Sequence, residues 1–264
     1  MGKKIAIIGG GNLGISIAEG LLKSKFCKAN DITITRRKLG MLDGLSKKGI
    51  KVLGENHIAV KNSDIIILAV KPFQVSEAIG SFKKEVLAGK ILVSVVTGVL
   101  IDEMETIIKK KIPLFRAMPN TAIAIRESMT CLCSRYSNSE DEKFIYEMFS
   151  KLGKVVYINE KLMEAATILG ACGTAYALRY IRASTQGGIE IGFDATTASL
   201  IAAQTVKGAA ELLLQKGSHP EHEIDKVTTP KGCTIAGLNE MEHQGFSSSL
   251  IRGIVASYNK IGKD

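Results

Sequence analysis

The chain has no tryptophan, only five prolines and few aromatic residues, which make up 5% of its 264 positions. So few aromatics leave no base-stacking platform of the kind that single-strand nucleic-acid binders use. The five cysteines are odd in number and scattered, which excludes a disulfide framework and favours a reducing compartment. The apolar runs are too short for a signal peptide or a bilayer span. The sequence therefore predicts a cytoplasmic protein that binds neither nucleic acid nor a membrane.

A metal site is not predicted either. Cys131 and Cys133 form a CxC pair in a β-rich stretch, where both side chains point to one face and read as buried strand residues. His219 and His222 lie beside two acidic residues, but Pro220 interrupts helical spacing and no further cluster follows. Neither group has the ligand set that a metal centre needs.

Strand and helix patterns alternate through the first 160 residues. The run Asp64–Val70 is nearly all apolar, as expected for a central parallel strand that is covered on both faces. Further strands are predicted at 4–9, 31–36, 51–53, 90–96, 113–118, 128–134 and 154–158. Helices are predicted at 12–25, 38–48, 72–87, 102–111 and 139–151. This alternation predicts an α/β domain with a doubly wound parallel sheet.

After residue 160 the strand patterns stop. Helices are predicted at 161–186, 194–216, 221–227, 234–243 and 246–261. Residues 1–161 contain 26 basic and 16 acidic residues, whereas 162–264 contain 9 and 10. The change in pattern and in charge predicts two domains, 1–160 and an all-helical 161–264.

A glycine motif follows the first predicted strand. Gly9, Gly11 and Gly14 fit GxGxxG, and the segment that contains Asn12 and Leu13 then opens a helix. In this context the glycines permit a tight turn, close approach of a pyrophosphate and close helix–strand packing, while the helix N-terminus favours an anion. The motif predicts a Rossmann-like, dinucleotide-binding first domain.

The residues after the second predicted strand indicate which dinucleotide binds. An acidic residue there would accept hydrogen bonds from the adenosine ribose of NAD, but this chain has Arg36 and Arg37. Guanidinium groups favour a 2′-phosphate, so NADPH is the expected cofactor and NADH stays open.

Three further segments follow predicted strands, where ligands of open α/β sheets bind. They are Ala69-Val70-Lys71-Pro72, Val96-Thr97-Gly98 and Ala117-Met118-Pro119-Asn120. Their positions suit the ribose and the nicotinamide of the cofactor.

The combined motifs resemble those of the pyrroline-5-carboxylate reductase family. The matching segments are IGGGNLG at 8–14, DIIILAVKP at 64–72, RAMPNT at 116–121, AAQTVKGAAELLL at 202–214, HP at 219–220 and VTTPKGCTIAGLNEMEHQGF at 227–246. The resemblance implies NAD(P)H-dependent reduction of a cyclic imine carboxylate to proline. It also implies a homodimer through the C-terminal helices, with assembly into larger, decamer-like particles.

The resemblance also implies roles for individual residues. Thr234 would lie near the imine nitrogen, and the loop before it would hold the substrate carboxylate through backbone N–H groups. That loop consists of Thr229, Pro230, Lys231, Gly232 and Cys233. Cofactor-lining residues would include Asn56, Ala69, Lys71 and Met118 to Asn120. A hydroxyl at Thr234 also suits a helix N-cap.

The substrate-side motifs depart from the family pattern. Lys231 stands where the family has glycine, which matters if that backbone needs positive φ. Gly170–Tyr176 and Gln186–Gly188 also differ, and Ser247 replaces a common arginine. Two alternatives therefore stay open, a reductase of another small cyclic imine acid and a non-catalytic NADP-binding regulator. A β-hydroxyacid dehydrogenase would want a lysine in Ala165–Ser184, and that stretch has none.

Overall fold

The computed structural model describes residues 2–82 and 87–261, and all eight strands predicted from the apolar runs form in it. The strands are β1 Ile5–Ile8, β2 Ile32–Thr35, β3 Lys51–Leu53, β4 Ile65–Leu68, β5 Ile91–Ser94, β6 Leu114–Met118, β7 Ser128–Arg135 and β8 Gly153–Tyr157. They make one sheet in the order β3-β2-β1-β4-β5-β6-β7-β8. The order reverses between β1 and β4, which is the switch point at which such sheets bind ligands.

The sheet is parallel except between β6 and β7. The predicted doubly wound parallel sheet is confirmed as a mostly parallel sheet, with β6 and β7 as its one antiparallel pair among the described residues. Only residues 119–127 connect these two strands, and they include a short 3₁₀ helix at Thr121–Ile125. A parallel crossover needs roughly a dozen residues or more, so the chain turns back instead.

The helices of the sheet region are α1 Asn12–Lys23, α2 Asp43–Ser46, α3 Asn56–Lys61, α4 Val75–Gly80, α5 Ile101–Ile108 and α6 Ser139–Ser150. The predicted helix 72–87 begins as a 3₁₀ turn at Pro72–Gln74 and continues as α4, while residues 83–86 lie outside the described residues. The helix α3 was not predicted. Short 3₁₀ turns at Ala29–Asp31 and Leu39–Leu42 complete the connections.

Both faces of the sheet are buried at β1, β4 and β5, which explains why these strands read as nearly unbroken apolar runs. In β1, Ile5 and Ile7 belong to one apolar cluster, whereas Ala6 and Ile8 belong to the other. Each cluster is covered by helices, as the doubly wound architecture requires.

The long helix predicted from residue 161 is interrupted. A 3₁₀ turn at Glu160–Leu162, helix α7 at Met163–Ala166 and a π-helical segment at Thr167–Cys172 precede α8 at Gly173–Glu190. The π-helical segment spans the small residues Gly170 and Ala171. Such segments are rare and occur frequently at functional sites.

The structure divides into two units, one that runs to Ala171 and takes in Ile261, and one from Cys172 to Lys260. The domain boundary predicted between 160 and 161 stays a prediction. After α8, the second unit contains α9 Ala195–Lys216, α10 Pro220–Lys226, α11 Cys233–His243 and α12 Phe246–Lys260. No helix of the described residues has the length and apolar character needed to cross a membrane.

Candidate functional site

The glycine-rich loop joins β1 to α1, and its first and third motif glycines are required by packing. Gly9 has φ +113°, and a Cβ there would lie 2.4 Å from the carbonyl oxygen of Ala69. A Cβ at Gly14 would lie 2.1 Å from the carbonyl oxygen of Gly9. These two positions therefore hold β1, α1 and the segment after β4 at distances that only glycine permits.

The middle glycine of the motif differs because it faces open space. A Cβ at Gly11 would meet no atom of the described chain within 4 Å. Gly11 is also the N-cap of α1, and no side chain of the described residues caps that end. The N–H groups of the first helical turn, at Asn12 and Leu13, are therefore available to an anion that approaches this open side.

The residues after β2 surround the other end of the loop. The N–H of Gly10 donates to the carbonyl of Thr35 at 2.7 Å, and a Cβ at Gly10 would lie 3.2 Å from that of Arg36. The half-buried Arg36 guanidinium donates to the Gly10 carbonyl and lies 2.7 Å from the sulfur of Met41. Gly10, which the motif leaves unspecified, is thus also constrained.

The second arginine is oriented differently. Arg37 is exposed, and its Nη2 lies 2.6 Å from Oε1 of Glu77 on α4. Glu77 is not apparent from the residues that follow β2, because it comes from a different element 40 positions away.

Asn56 is tied to the end of β2. The Thr35 hydroxyl donates to Oδ1 of Asn56 at 2.7 Å, and Nδ2 of Asn56 donates to the Ser81 hydroxyl at 3.2 Å. Its amide is therefore held beside the residues that follow β2.

The segments after β4 and β6 lie at the same edge of the sheet as the glycine loop, because these strands run parallel to β1. Ala69 donates its N–H to the Ile8 carbonyl at 2.8 Å, and Pro72 opens the 3₁₀ turn before α4, with Val70 and Lys71 between them. The structure thus brings Gly9–Gly14 and Ala69–Pro72 together.

The N–H and the side-chain amide of Asn120 make three hydrogen bonds at the end of β6, beyond buried Met118 and Pro119. Its N–H donates to the Ser128 hydroxyl at 3.0 Å, and its Oδ1 accepts from the N–H of Ala122 at 3.0 Å. Its Nδ2 donates to the carbonyl of Gly170 at 3.1 Å. Asn120 therefore links the carboxyl edge of the sheet to the π-helical segment.

A buried ion pair in β6 was not anticipated from the sequence. Arg116 is 1% exposed, and its two terminal nitrogens lie 3.2 Å from carboxylate oxygens of Glu160 and Glu164. Glu160 also accepts from the N–H of Ile101 at 2.8 Å. The two glutamates line a cavity of about 670 Å³ beside the start of α5, away from the glycine loop. The sequence feature that could have indicated this ion pair is a charged residue in the middle of a buried strand.

The substrate-side loop lies in the second unit as a turn followed by a helix. The N–H of Gly232 donates to the Thr229 carbonyl at 2.9 Å, which closes a β-turn with Pro230 at its second position. Lys231, at the third position, has φ +61°, so this lysine occupies the left-handed region that favours glycine.

Helix α11 begins directly after this turn. Gly232 is its N-cap and has no side-chain cap, Cys233 is its first residue, and Thr234 is its second. The interpretation of Thr234 as the helix N-cap is therefore wrong, because the cap position is two residues earlier. The hydroxyl of Thr234, which is half-buried, belongs to the first turn, where N–H groups have no intrahelical partner.

The cysteines have no metal-like arrangement. Cys131 and Cys133 lie in β7, and burial raises the pKa of the Cys131 thiol and raises that of Cys133 to about 11. Neutral thiols of this kind are poor metal ligands. Among the residues that the structure describes, no group of three or more His, Cys, Asp or Glu side chains is placed to hold an ion.

Two family models match parts of the chain. Residues 160–263 match the model described as pyrroline-5-carboxylate reductase dimerisation. Residues 4–98 match the model described as NADP oxidoreductase, coenzyme F420-dependent. The two matches correspond to the helical part and to the glycine-loop half of the sheet.

Individual proteins resemble the whole chain. Pyrroline-5-carboxylate reductase 1 of Dictyostelium discoideum is 47% identical over 268 residues, which cover 97% of this chain and 49% of that protein. The chain thus spans about half the length of that relative. Pyrroline-5-carboxylate reductase 2 of the same organism is 43% identical over 277 residues, which cover 99% of this chain and 93% of that protein.

A solved structure has the same fold. The crystal structure of Plasmodium falciparum pyrroline carboxylate reductase, determined with NADP bound, has a TM-score of 0.90 at 24% identity. The likeness covers 98% of this chain and 97% of that one.

Proposed function

The chain belongs to the pyrroline-5-carboxylate reductase family, and from that premise we propose that it reduces L-Δ1-pyrroline-5-carboxylate to L-proline with NAD(P)H. The family resemblance drawn from the motifs is confirmed by the 43% identity that extends over 93% of a curated relative. The enzyme is an oxidoreductase that acts on a C=N bond, in the last step of proline synthesis.

The residues of the sheet edge fit a dinucleotide. The open space at Gly11 and the free N–H groups of the first turn of α1 suit a pyrophosphate, while Gly9 and Gly14 allow the close backbone packing that shapes the loop. Arg36 and Arg37 are proposed to bind a 2′-phosphate. When bound, the reduced nicotinamide supplies the hydride.

The remaining cofactor contacts are proposed for residues at the carboxyl ends of three strands. Asn56 beside β2, the Ala69–Pro72 segment after β4 and the Met118–Asn120 segment after β6 share this edge. Residues that come from separate parallel strands hold an extended ligand in one orientation. Orientation is what this chemistry needs most from the protein.

The conformation of Lys231 is the single observation that carries the substrate assignment. The family has glycine at this position, and the left-handed φ of Lys231 keeps the turn in a shape that glycine favours. The turn therefore still leads into the N-terminus of α11, where the backbone N–H groups of 233 and 234 can hold a carboxylate. This supports a loop that accepts the substrate despite its changed sequence.

Thr234 is proposed to act at the imine nitrogen. As hydride adds to the ring carbon, the C=N π electrons become a nitrogen lone pair, and that nitrogen takes a proton. The hydroxyl of Thr234 can donate a hydrogen bond to the nitrogen or pass on a proton from solvent. A protonated cyclic imine already accepts hydride well, so the site needs no strong acid or base.

The chain is proposed to work as a homodimer through its C-terminal helices, with dimers assembling further. Many large apolar side chains of the second unit are exposed in the single chain, among them Leu178, Leu200 and Ile251. A surface of this kind marks a protein–protein interface. The five cysteines are all free, which fits a cytoplasmic enzyme.

The test is a direct assay of the purified protein. NADPH absorbance is followed after addition of pyrroline-5-carboxylate, with NADH in parallel and proline quantified at the end. We expect oxidation that depends on the imine and matches proline formation one to one. Controls omit the imine or the protein.

Two outcomes would overturn the proposal. Tight NADPH binding without oxidation would indicate a non-catalytic NADP-binding protein. Faster oxidation with a six-membered cyclic imine acid than with pyrroline-5-carboxylate would assign a different substrate to the 229–234 loop.

A further inference from the structure

A carboxylate lies at the cofactor edge although none follows β2 in the sequence. Glu77 is in the first turn of α4, and its Oε1 is 2.6 Å from Nη2 of Arg37. Both side chains are largely exposed, Arg37 at 75% and Glu77 at 68%. The pair is therefore accessible to a ligand that enters from solvent.

The position of the pair relates it to the glycine loop. Arg37 follows β2 and Glu77 lies on the helix that follows β4, and β2 and β4 are the two neighbours of β1 in the sheet. The ion pair thus joins the two chain segments that flank the end of β1. A ligand bound at the switch point lies between those segments.

We propose that Glu77 is a selectivity residue for the cofactor, because it competes with the 2′-phosphate of NADPH for Arg37. This inference rests on the proposed function, in which Arg36 and Arg37 bind that phosphate. NADH has no 2′-phosphate and leaves the ion pair intact. Glu77 therefore lowers the preference for NADPH over NADH.

The two arginines differ in how freely they can exchange partners. Arg36 is half-buried, and its guanidinium already contacts the Gly10 carbonyl and the sulfur of Met41. Arg37 has an exposed partner in Glu77, and exposed ion pairs contribute little, so a phosphate can replace the carboxylate at small cost. The displaced carboxylate stays near the phosphate, where the two negative charges repel each other.

The experiment measures the affinities of NADPH and NADH by fluorescence titration of the full-length enzyme at low ionic strength. In Glu77→Gln, which keeps the side-chain shape and removes the charge, we expect NADPH to bind about two- to fivefold more tightly. NADH affinity stays within experimental error. The gain should shrink as salt is added, because the charges are exposed.

Two comparison variants make the result specific. Glu19→Gln removes a carboxylate from another, partly exposed ion pair, with Lys48 at 2.9 Å, and should leave the NADPH-to-NADH ratio unchanged. In an Arg37→Gln background, Glu77→Gln should lose most of its effect, because the residue for which the two anions compete is gone.

The outcomes separate this inference from the proposed function. If the wild-type enzyme binds neither NADPH nor NADH, the proposed function fails. If it binds NADPH and Arg37→Gln weakens that binding, but Glu77→Gln leaves the ratio unchanged or shifts it toward NADH, then the role of Glu77 is refuted and the cofactor site stands.

Discussion

Replacing Lys231 with glycine tests whether the turn before α11 has the strained shape described above. Lys231 has φ +61°, is exposed, and takes part in no ion pair of the described residues. The substitution Lys231→Gly therefore removes backbone strain without removing a contact. We expect it to stabilise the folded enzyme.

The magnitude follows from two opposing terms. A residue with a Cβ in the left-handed region costs roughly 1–2 kcal/mol, which glycine avoids. Glycine in turn loses about 0.5–1 kcal/mol more conformational entropy on folding. The net expectation is an increase of about 0.5–1 kcal/mol in the free energy of unfolding, or about 1–4 °C in Tm.

The assay is thermal and urea unfolding of wild type and variant, with Lys109→Gly as the matched control. Lys109 is also an exposed lysine in the left-handed region, with φ +53°, but it ends α5 in the other unit. Both variants should gain stability. Because the turn keeps its shape, Lys231→Gly should also keep its turnover, with KM for the imine changed by less than about fivefold.

One result would refute the reasoning. If Lys109→Gly is stabilised while Lys231→Gly is unchanged or destabilised, then Lys231 is not held at positive φ in the folded enzyme. The loop would then not keep the conformation that glycine favours.

Three further predictions concern other parts of the molecule. Gly14→Ala should lose about 1–3 kcal/mol of stability together with NADPH binding, because its Cβ would overlap a backbone oxygen. Gly11→Ala should weaken NADPH binding by about tenfold or more at a stability cost below about 1 kcal/mol. Fluorescence titration and urea unfolding distinguish the two variants, and equal losses of stability would contradict the packing of Gly14. Thr234→Ala should lower kcat about tenfold or more with unchanged NADPH affinity, and Thr234→Ser should restore turnover; wild-type rates in the alanine variant would remove the hydroxyl from the mechanism. Arg116→Leu should cost about 3 kcal/mol in urea unfolding, because Glu164 loses its cation and Glu160 keeps only Arg135, at 3.7 Å. A loss below about 1 kcal/mol would show that Arg116 contributes little to stability.

The sequence predicted those features that depend on local pattern. All eight strands and the glycine loop were found, because the buried strands β1, β4 and β5 are almost entirely apolar, β2 alternates β-branched residues, and the loop has a fixed glycine spacing. The reversed direction of β7 followed from the short connection at 119–127, which the prediction of a parallel sheet overlooked.

Features that depend on contacts between distant residues were not predicted. Glu77 reaches Arg37 only because parallel strands bring their following segments to one edge, and no local pattern marks such a pair. The π-helical segment at Thr167–Cys172 looks like ordinary helix in the sequence. The family's glycine indicated that position 231 could need a positive φ. Only the structure shows that Lys231 has one.

The buried Arg116 pair has a consequence for recombining this enzyme with its relatives. A chimera joined between residues 160 and 161 takes Arg116 and Glu160 from one parent and residue 164 from the other. The buried cation then faces a residue that evolved beside the β6 strand of a different protein. A junction after Ala171, where the two units separate, keeps all three charges in one parent. Chimeras joined after Ala171 should therefore fold more often than chimeras joined between 160 and 161. The ion pair thus indicates which junction suits recombination of this protein.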